Sequence, residues 1–544
     1  MNLLEESWMP VRLHGGGREW IAPHQLSDPR IAAFDAPRAD FNGALAQFAI
    51  GLLQTATPVD SPIAWRRLFN TPPDAASLSE WFAPHGRAFE FDGNGARFMQ
   101  DFDLRAVDGE PVGIGNLLIE APGENTVKNN GDHFIKRGGI HSLCPHCAVL
   151  ALFTLQLNAP AGGAGHRTGL RGGGPLTTLL VAQASPGMPR SLWHDLWLNV
   201  QERHVFHAGG GDSDFTAPQL SFPWLAGVDA IQKKGGETAP VQTHPAHVFW
   251  ATPRRIRLDL DAVGQGLCDL CGRESARLVR QYVTHNYGLN YKHNWKHPLS
   301  PYYETKEGLL PVHPQPGGLG YRHWLGWVLG MQTQKRKVER AAVIEHFFVA
   351  KAEQLPGARL RLWAFGFDMD NMKARCWYEA TVPLYALGEC APSEQKNLRE
   401  DVGAWLAGAE IAASFLRGAV KDAWFRRDAR GDFSFVDTSF WSGTETAFYV
   451  LLRDRIGTAR NASAWDRIAH VERWQQALQR VALDLFDTQF VGAGPIERQD
   501  PARVASAHRH LRANLYGPKL RDALGLPSIS KDKPKPARKA AKAV

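Results

Sequence analysis

Hydrophobic and polar positions follow two different rhythms along this chain, and the change falls near Cys390. Beyond it, four segments repeat apolar residues at steps of three and four, the spacing of one helical face. They span roughly 393–424, 439–455, 463–490 and 500–524. In the third, Trp465, Ile468, Val471, Trp474, Leu478, Val481 and Leu485 form the apolar stripe. Ser463 and Asp466 resemble a capping box at its start. Asp500-Pro501 opens the fourth as an N-cap followed by proline at the first helical position. Four amphipathic helices with connections of about 7–15 residues predict a four-helix bundle over 391–526.

Before Cys390 the apolar stretches are short and interleaved with Gly, Pro and Trp. "HVFWATPRRIRLDL" (His247 to Leu260) and "RLRLWAFGFDMD" (Arg359 to Asp370) read as strands running into turns. "CPHCAVLALFTLQL" is a helix or a buried strand, because periodicity does not decide so short an apolar run. Residues 1–390 are therefore expected to form a large mixed N-terminal domain, and the fold class is α+β. A chain of 544 residues exceeds what one compact core holds, which agrees with this division. No internal repeat stands out.

Composition changes this picture little. Hydrophobic residues make up 44% of the chain, as in ordinary globular proteins. No apolar run approaches the roughly 18 residues of a membrane span. The opening "MNLLEESWMP" carries acids where a signal peptide carries positive charge. These features predict a cytoplasmic protein with no membrane partner. Charge is informative only by its location. The last fourteen residues hold +5 of the formal +7, which leaves +2 for the rest of the chain. Residues 527–544 read as a basic disordered tail. Any nucleic-acid surface on the nearly neutral body must be a local patch.

Chemistry enters with the six cysteines. Cys144-x-x-Cys147 and Cys268-x-x-Cys271 each have the spacing of half a metal site. Together they supply four thiolates, a closed tetrahedral shell for a structural Zn2+. Two alternatives stand beside it: one pair acting as a redox site, or His141 or His146 replacing a thiolate. Cys376 and Cys390 are expected to be buried free thiols. The stretch Ala159 to Thr178 holds seven glycines with His166, Arg167 and Arg171. It fails the Walker and dinucleotide patterns. It offers either a backbone able to approach a nucleic acid closely or a set of tight turns requiring positive φ. "HNYGLNYKHNWKHP" (His285 to Pro298) gathers His285, His293 and His297 among asparagines, aromatics and lysines. A metal-dependent nuclease, a nucleic-acid contact and a solvated loop are its three readings.

Six stretches occur in an order that resembles the CasA family, the large subunit of the type I-E CRISPR Cascade complex. They are "NLLEESWMPV", "SLCPHC", "GLRGGGPLTTLL", "FWATPRRIRL", "LCDLCGRES" and "GFDMDNMKARCW". The resemblance covers nearly the whole chain. It implies a non-enzymatic subunit that reads the protospacer-adjacent motif (PAM) on target double-stranded DNA and helps open the duplex for crRNA pairing. It also implies contact with the crRNA 5′ handle, with other Cascade subunits and with a recruited helicase-nuclease. By this resemblance the glycine loop of the PAM reader falls on Gly162, Gly163, Ala164 and Gly165. The wedge falls on Asp370, Asn371 and Met372. The family's groove lysine falls near Asn286, with Lys292 as a displaced candidate. Phe134, Lys136 and Arg137 would meet the guide handle. The zinc would brace that loop against residues 285–298. The rivals are a metal-dependent nuclease built on His285–His297 and a plain zinc-stabilised scaffold.

Overall fold

Two apolar helices, Ala39–Ala56 and Pro145–Asn158, form the centre of the larger of two compact units. In the computed structural model the described residues are 1–105, 107–129, 138–163, 165–185, 190–261, 263–292, 295–306, 308–332, 337–355, 358–370, 373–385, 390–424, 431–461, 464–492, 494 and 500–527. One unit comprises Met1–Leu319 and Gly326–Gly388, the other Gly320–Leu325 and Glu389–Val544. Sequence patterning assigns residues 320–325 to the N-terminal region, whereas in the fold they belong to the helical unit.

The run "CPHCAVLALFTLQL" is a helix. Cys144 is its N-cap and Pro145 its first residue, which sets φ at no loss because that N–H has no intrahelical partner. It is buried on nearly every side, as expected of a central helix. Phe48 of the first helix meets Trp8, Phe89, Phe98, Phe153 and Trp250 with ring centroids 5.1–5.8 Å apart. These contacts are edge-on, the arrangement that ring quadrupoles favour.

Strands around this core form small antiparallel sheets. Arg359–Asp370 lies between Lys373–Leu384 and Thr177–Gln183. Leu360, Leu362 and Ala364 recur with period two and face the core, as the sequence rhythm predicts. The stretch His247–Leu260 differs from expectation. It is a 3-10 turn, Pro245–Phe249, followed by the strand Arg255–Leu258. Pro253 lies between them; its fixed φ and missing N–H limit a continuous ladder there.

The second unit contains the helices Pro392–Trp424, Ser434–Arg460, Arg467–Asp484 and Pro501–Leu515, with a short Pro518–Ala523. Asp500 caps its helix by accepting from the amides of Ala502 and Arg503. In the third helix the cap is Asp466, which accepts from Ala469 N at 3.1 Å, while Ser463 lies outside the described residues. The helix therefore starts at Arg467, and Ile468 in its first turn is 49% exposed rather than part of the buried stripe. Trp474 is buried and donates to Trp405 O. Buried Arg455 bonds Asp401 and Glu394, so its charge is paired. Tyr321 stacks on Phe448 at 4.4 Å and shares a hydrogen bond with Thr444 Oγ1 at 2.8 Å. This places the 320–325 segment in the helical core. Among the described residues, no helix is long and apolar enough to cross a membrane.

Candidate metal centre and nucleic-acid interface

The two Cys pairs meet. Their four Sγ atoms lie within 4.8 Å of one another, and Cys144 and Cys271 are 3.7 Å apart. That is far beyond a disulfide bond. It matches the edge of about 3.8 Å expected for a tetrahedron of sulfurs around an ion with metal–sulfur bonds of about 2.3 Å. Cys144, Cys147 and Cys268 are buried. Contacts with Cys144, Cys268 and Cys271 push the Cys147 thiol up, a resistance that a coordinated cation removes. The donor set thus fits a metal ion, and four protein ligands leave no open position. His141 and His146 are not in the cluster. Among the described residues, these cysteines are the one group of three or more His, Cys, Asp or Glu side chains that could hold a metal. Cys390 is buried as expected, but Cys376 on the hairpin is only half-buried.

Each half of the centre is shaped locally. Cys144 and Cys147 occupy the N-cap and first turn of a helix. Cys268 and Cys271 sit in the turn between the paired strands Gly264–Leu267 and Glu274–Leu278. Gly272 follows at φ +69°, a conformation suited to glycine. The halves are also joined without metal. Asp269 Oδ2 accepts from the amides of His141 and Ser142 at 2.7 and 2.8 Å. Leu143 and Val279 exchange backbone hydrogen bonds. Arg273 lies over the Trp20 ring at 4.2 Å and bonds His146 Nδ1.

The same helix, about 21 Å long at 1.5 Å per residue, carries the glycine segment at its far end. Residues 159–174 leave and return at one neck. Gly169 N donates to Ala159 O at 2.8 Å, and Gly174 N donates to Asn158 O at 3.2 Å. Buried Arg171 anchors the return through Thr177 Oγ1, Ser300 Oγ and Gln47 Oε1. Gly163 and Gly165 have φ of +84° and +81°. A Cβ on Gly163 would meet nothing within 4 Å. One on Gly165 would lie 2.6 Å from Asn286 Cβ, and one on Gly162 would lie 2.8 Å from Arg254 Nη1. At the neck, a Cβ on Gly174 would strike Phe367 and Met369 of the 359–384 hairpin.

Two of the sequence-predicted elements therefore touch the glycine segment: Asn286 at one end and the hairpin carrying Asp370 at the other. Asp370 pairs with Lys373 in register and lies 3.8 Å from Arg375 Nη1. Lys292 lies 4.0 Å from Glu237. Ala164, Asn371, Met372, Phe134, Lys136, Arg137 and His293 lie outside the described residues. His285 is exposed, whereas His297 is buried against Phe249 and accepts from Leu299 N. Burial holds His297 well below the usual imidazole range. It is a core residue, which removes one of the three histidines from the nuclease reading.

Two side chains at the loop escape sequence reasoning. Arg254 donates to Pro160 O and is pushed down to about 10 by burial. Tyr287 donates its amide to Gly165 O at 2.8 Å. Arg254 lies 92 positions past Gly162 in sequence, so only the fold brings it there. Tyr287, beside Asn286 and before Gly288, is the one with a visible cue.

Comparison with known proteins bears on the family and the fold. The family model described as CRISPR-associated protein Cse1 matches residues 2–485. The fold is similar to CasA from Thermus thermophilus, with TM-score 0.65 and 17% identity, covering 95% of this chain and 99% of that one. It is also similar to Cse1 from Thermobifida fusca, with TM-score 0.62, 15% identity and coverage of 97% and 99%. A chain in a structure titled CRISPR RNA-guided surveillance complex matches at TM-score 0.62 and 16% identity, with coverage of 95% and 99%.

Proposed function

Since this chain belongs to the CRISPR-associated protein Cse1 family, we propose that it is the large subunit of a type I-E Cascade surveillance complex. In that role it recognises the PAM on double-stranded DNA, helps open the duplex for crRNA pairing and supports recruitment of the helicase-nuclease. It performs no chemistry of its own. Protein reads the short motif and base pairing reads the rest, a division known from other RNA-guided systems.

The observation that carries this reading is the glycine segment held between Asn286 and the 359–384 hairpin. Gly163 has open space where a side chain would be, so backbone there can approach the floor of a narrow minor groove. Asn286 stands beside Gly165 as a hydrogen-bonding group for base edges. The hairpin carries Asp370, Asn371 and Met372 as a wedge that unstacks a base step. Phe134, Lys136 and Arg137 contact the crRNA handle by stacking and phosphate pairing. The metal is Zn2+, structural, held by Cys144, Cys147, Cys268 and Cys271. The helical unit is a four-helix bundle that faces partner subunits.

Target-duplex binding by the guide-loaded partner complex, with and without this chain, tests the proposal. Duplexes of varied PAM are compared at one salt concentration, because phosphate contacts alone shift affinity with salt. PAM-dependent binding that requires this chain and falls for the Asn371→Ala, Met372→Ala double variant is expected. PAM-independent binding, unchanged by the variant, would leave only a scaffold.

A further inference from the structure

We infer that Tyr287 is a base-stacking residue, its exposed ring taking the first base that unstacks when the target duplex opens beside the glycine loop. This rests on the proposed reading of the chain as a duplex reader and adds a contact which that reading does not contain.

Three observations meet at this side chain. Its ring is 60% exposed, whereas Tyr282, Tyr291 and Trp295 on either side in sequence are buried. Its backbone has φ +64°; among the described residues other than glycine, only Met99 shares that region, and Met99 is buried. A bulky residue there is strained, and such strain persists only where the surroundings over-determine it. They do here. The Tyr287 amide is fixed to Gly165 O, and Gly288 is packed so closely on Pro253 that a Cβ would strike Pro253 O. Third, the Arg167 guanidinium lies over the ring at 5.6 Å, and Arg167 Nε is buried without a hydrogen-bond partner. A cation over one face leaves the other for a base and puts positive charge where a phosphate would follow it.

The fold thus presents an exposed aromatic ring, on a fixed backbone, beside a loop that has no side chain at Gly163. Every base has a π-face, so such a platform binds the opened state without choosing among sequences. Asn286 and the glycine backbone would select the motif; Tyr287 would hold what the opening exposes.

Duplex binding by the assembled complex containing full-length Tyr287→Gly or Tyr287→Phe tests this. Glycine accepts φ +64° freely, so the Tyr287→Gly chain should melt no lower than wild type. Its affinity for target should fall about tenfold or more by the same factor for every PAM, leaving the ratio between PAMs unchanged. Tyr287→Phe should stay within about twofold of wild type, since it keeps the π-face. A 5-iododeoxyuridine at the position flanking the PAM should photocrosslink to residue 287 in the wild type. Wild-type affinity in Tyr287→Gly, or a loss confined to some PAMs, would overturn the inference while leaving the duplex reader intact. Absence of PAM-dependent binding by wild type would instead sink the reading on which it rests.

Discussion

Gly163 and Gly165 look interchangeable in the sequence and are not so in the fold. Both have positive φ, so alanine at either introduces left-handed strain of about 1–2 kcal/mol. At Gly163 nothing else stands in the way. At Gly165 the new methyl meets Asn286 and Tyr287, adding overpacking of about 1–3 kcal/mol. Urea unfolding should therefore rank Gly165→Ala clearly below Gly163→Ala in stability. If the loop meets the minor groove as proposed, duplex binding should fall for both, because a methyl at Gly163 fills the open space there. Equal stabilities would mean the Asn286 turn is not held where the structure places it. The glycine pattern was legible in the chain as a demand for positive φ or close approach. Which glycine faces open space and which faces Asn286 was not, since that depends on a residue more than a hundred positions away.

At the scale of elements, the metal centre and the glycine loop are two ends of one frame. The helix Pro145–Asn158 begins at Cys144 and ends at the loop. The strand Glu274–Leu278 follows the second Cys pair, and Gln281–His285 then leads to Asn286. At the far end the bond from Tyr287 N to Gly165 O closes the frame again. Cys268→Ser leaves three thiolates and should abolish stoichiometric metal, as read by elemental analysis. The melting temperature should drop, and duplex affinity with it, although the loop is about 21 Å away along the helix. Unchanged metal content and affinity would show that Asp269 and the Leu143–Val279 pairing hold the frame alone. Sequence spacing alone marked both Cys pairs as half-sites, because ligand chemistry is local to each pair. The frame itself was not visible, because the bonds that join helix and strand span more than a hundred positions. The Pro253 interruption shows the same limit: apolar residues on both sides of it read as one strand until its backbone is considered.

At the scale of the molecule, the helical unit is not a contiguous piece of chain. Residues 320–325 precede its main body by more than sixty positions, yet Tyr321 lies in its core beside Phe448, Trp441 and Trp474. Tyr321→Ala should cost about 3–5 kcal/mol, the range for deleting a buried aromatic ring. The loss should appear as a lower thermal transition of the full chain. Tyr321→Phe should cost only about 1 kcal/mol, since Thr444 Oγ1 retains its bond to Phe440 O. A null effect of Tyr321→Ala would place the segment outside the helical core. The helices themselves were readable from apolar periodicity and from Asp500-Pro501. The Tyr321 segment was not, because the six residues Gly320–Leu325 are too few to carry a helical period.

The 127 positions between Cys144 and Cys271 also have a meaning in time. A ribosome adding about 5–20 residues per second takes roughly 6–25 s to pass from one to the other. Throughout that interval the first pair of thiols stands without its partners, able to join each other or an oxidant but unable to complete a four-sulfur shell. The ion must then arrive after the second pair has emerged, or wait half-held while it is made. A four-sulfur shell is therefore complete only late in synthesis, and only if the first pair is still reduced when the second emerges.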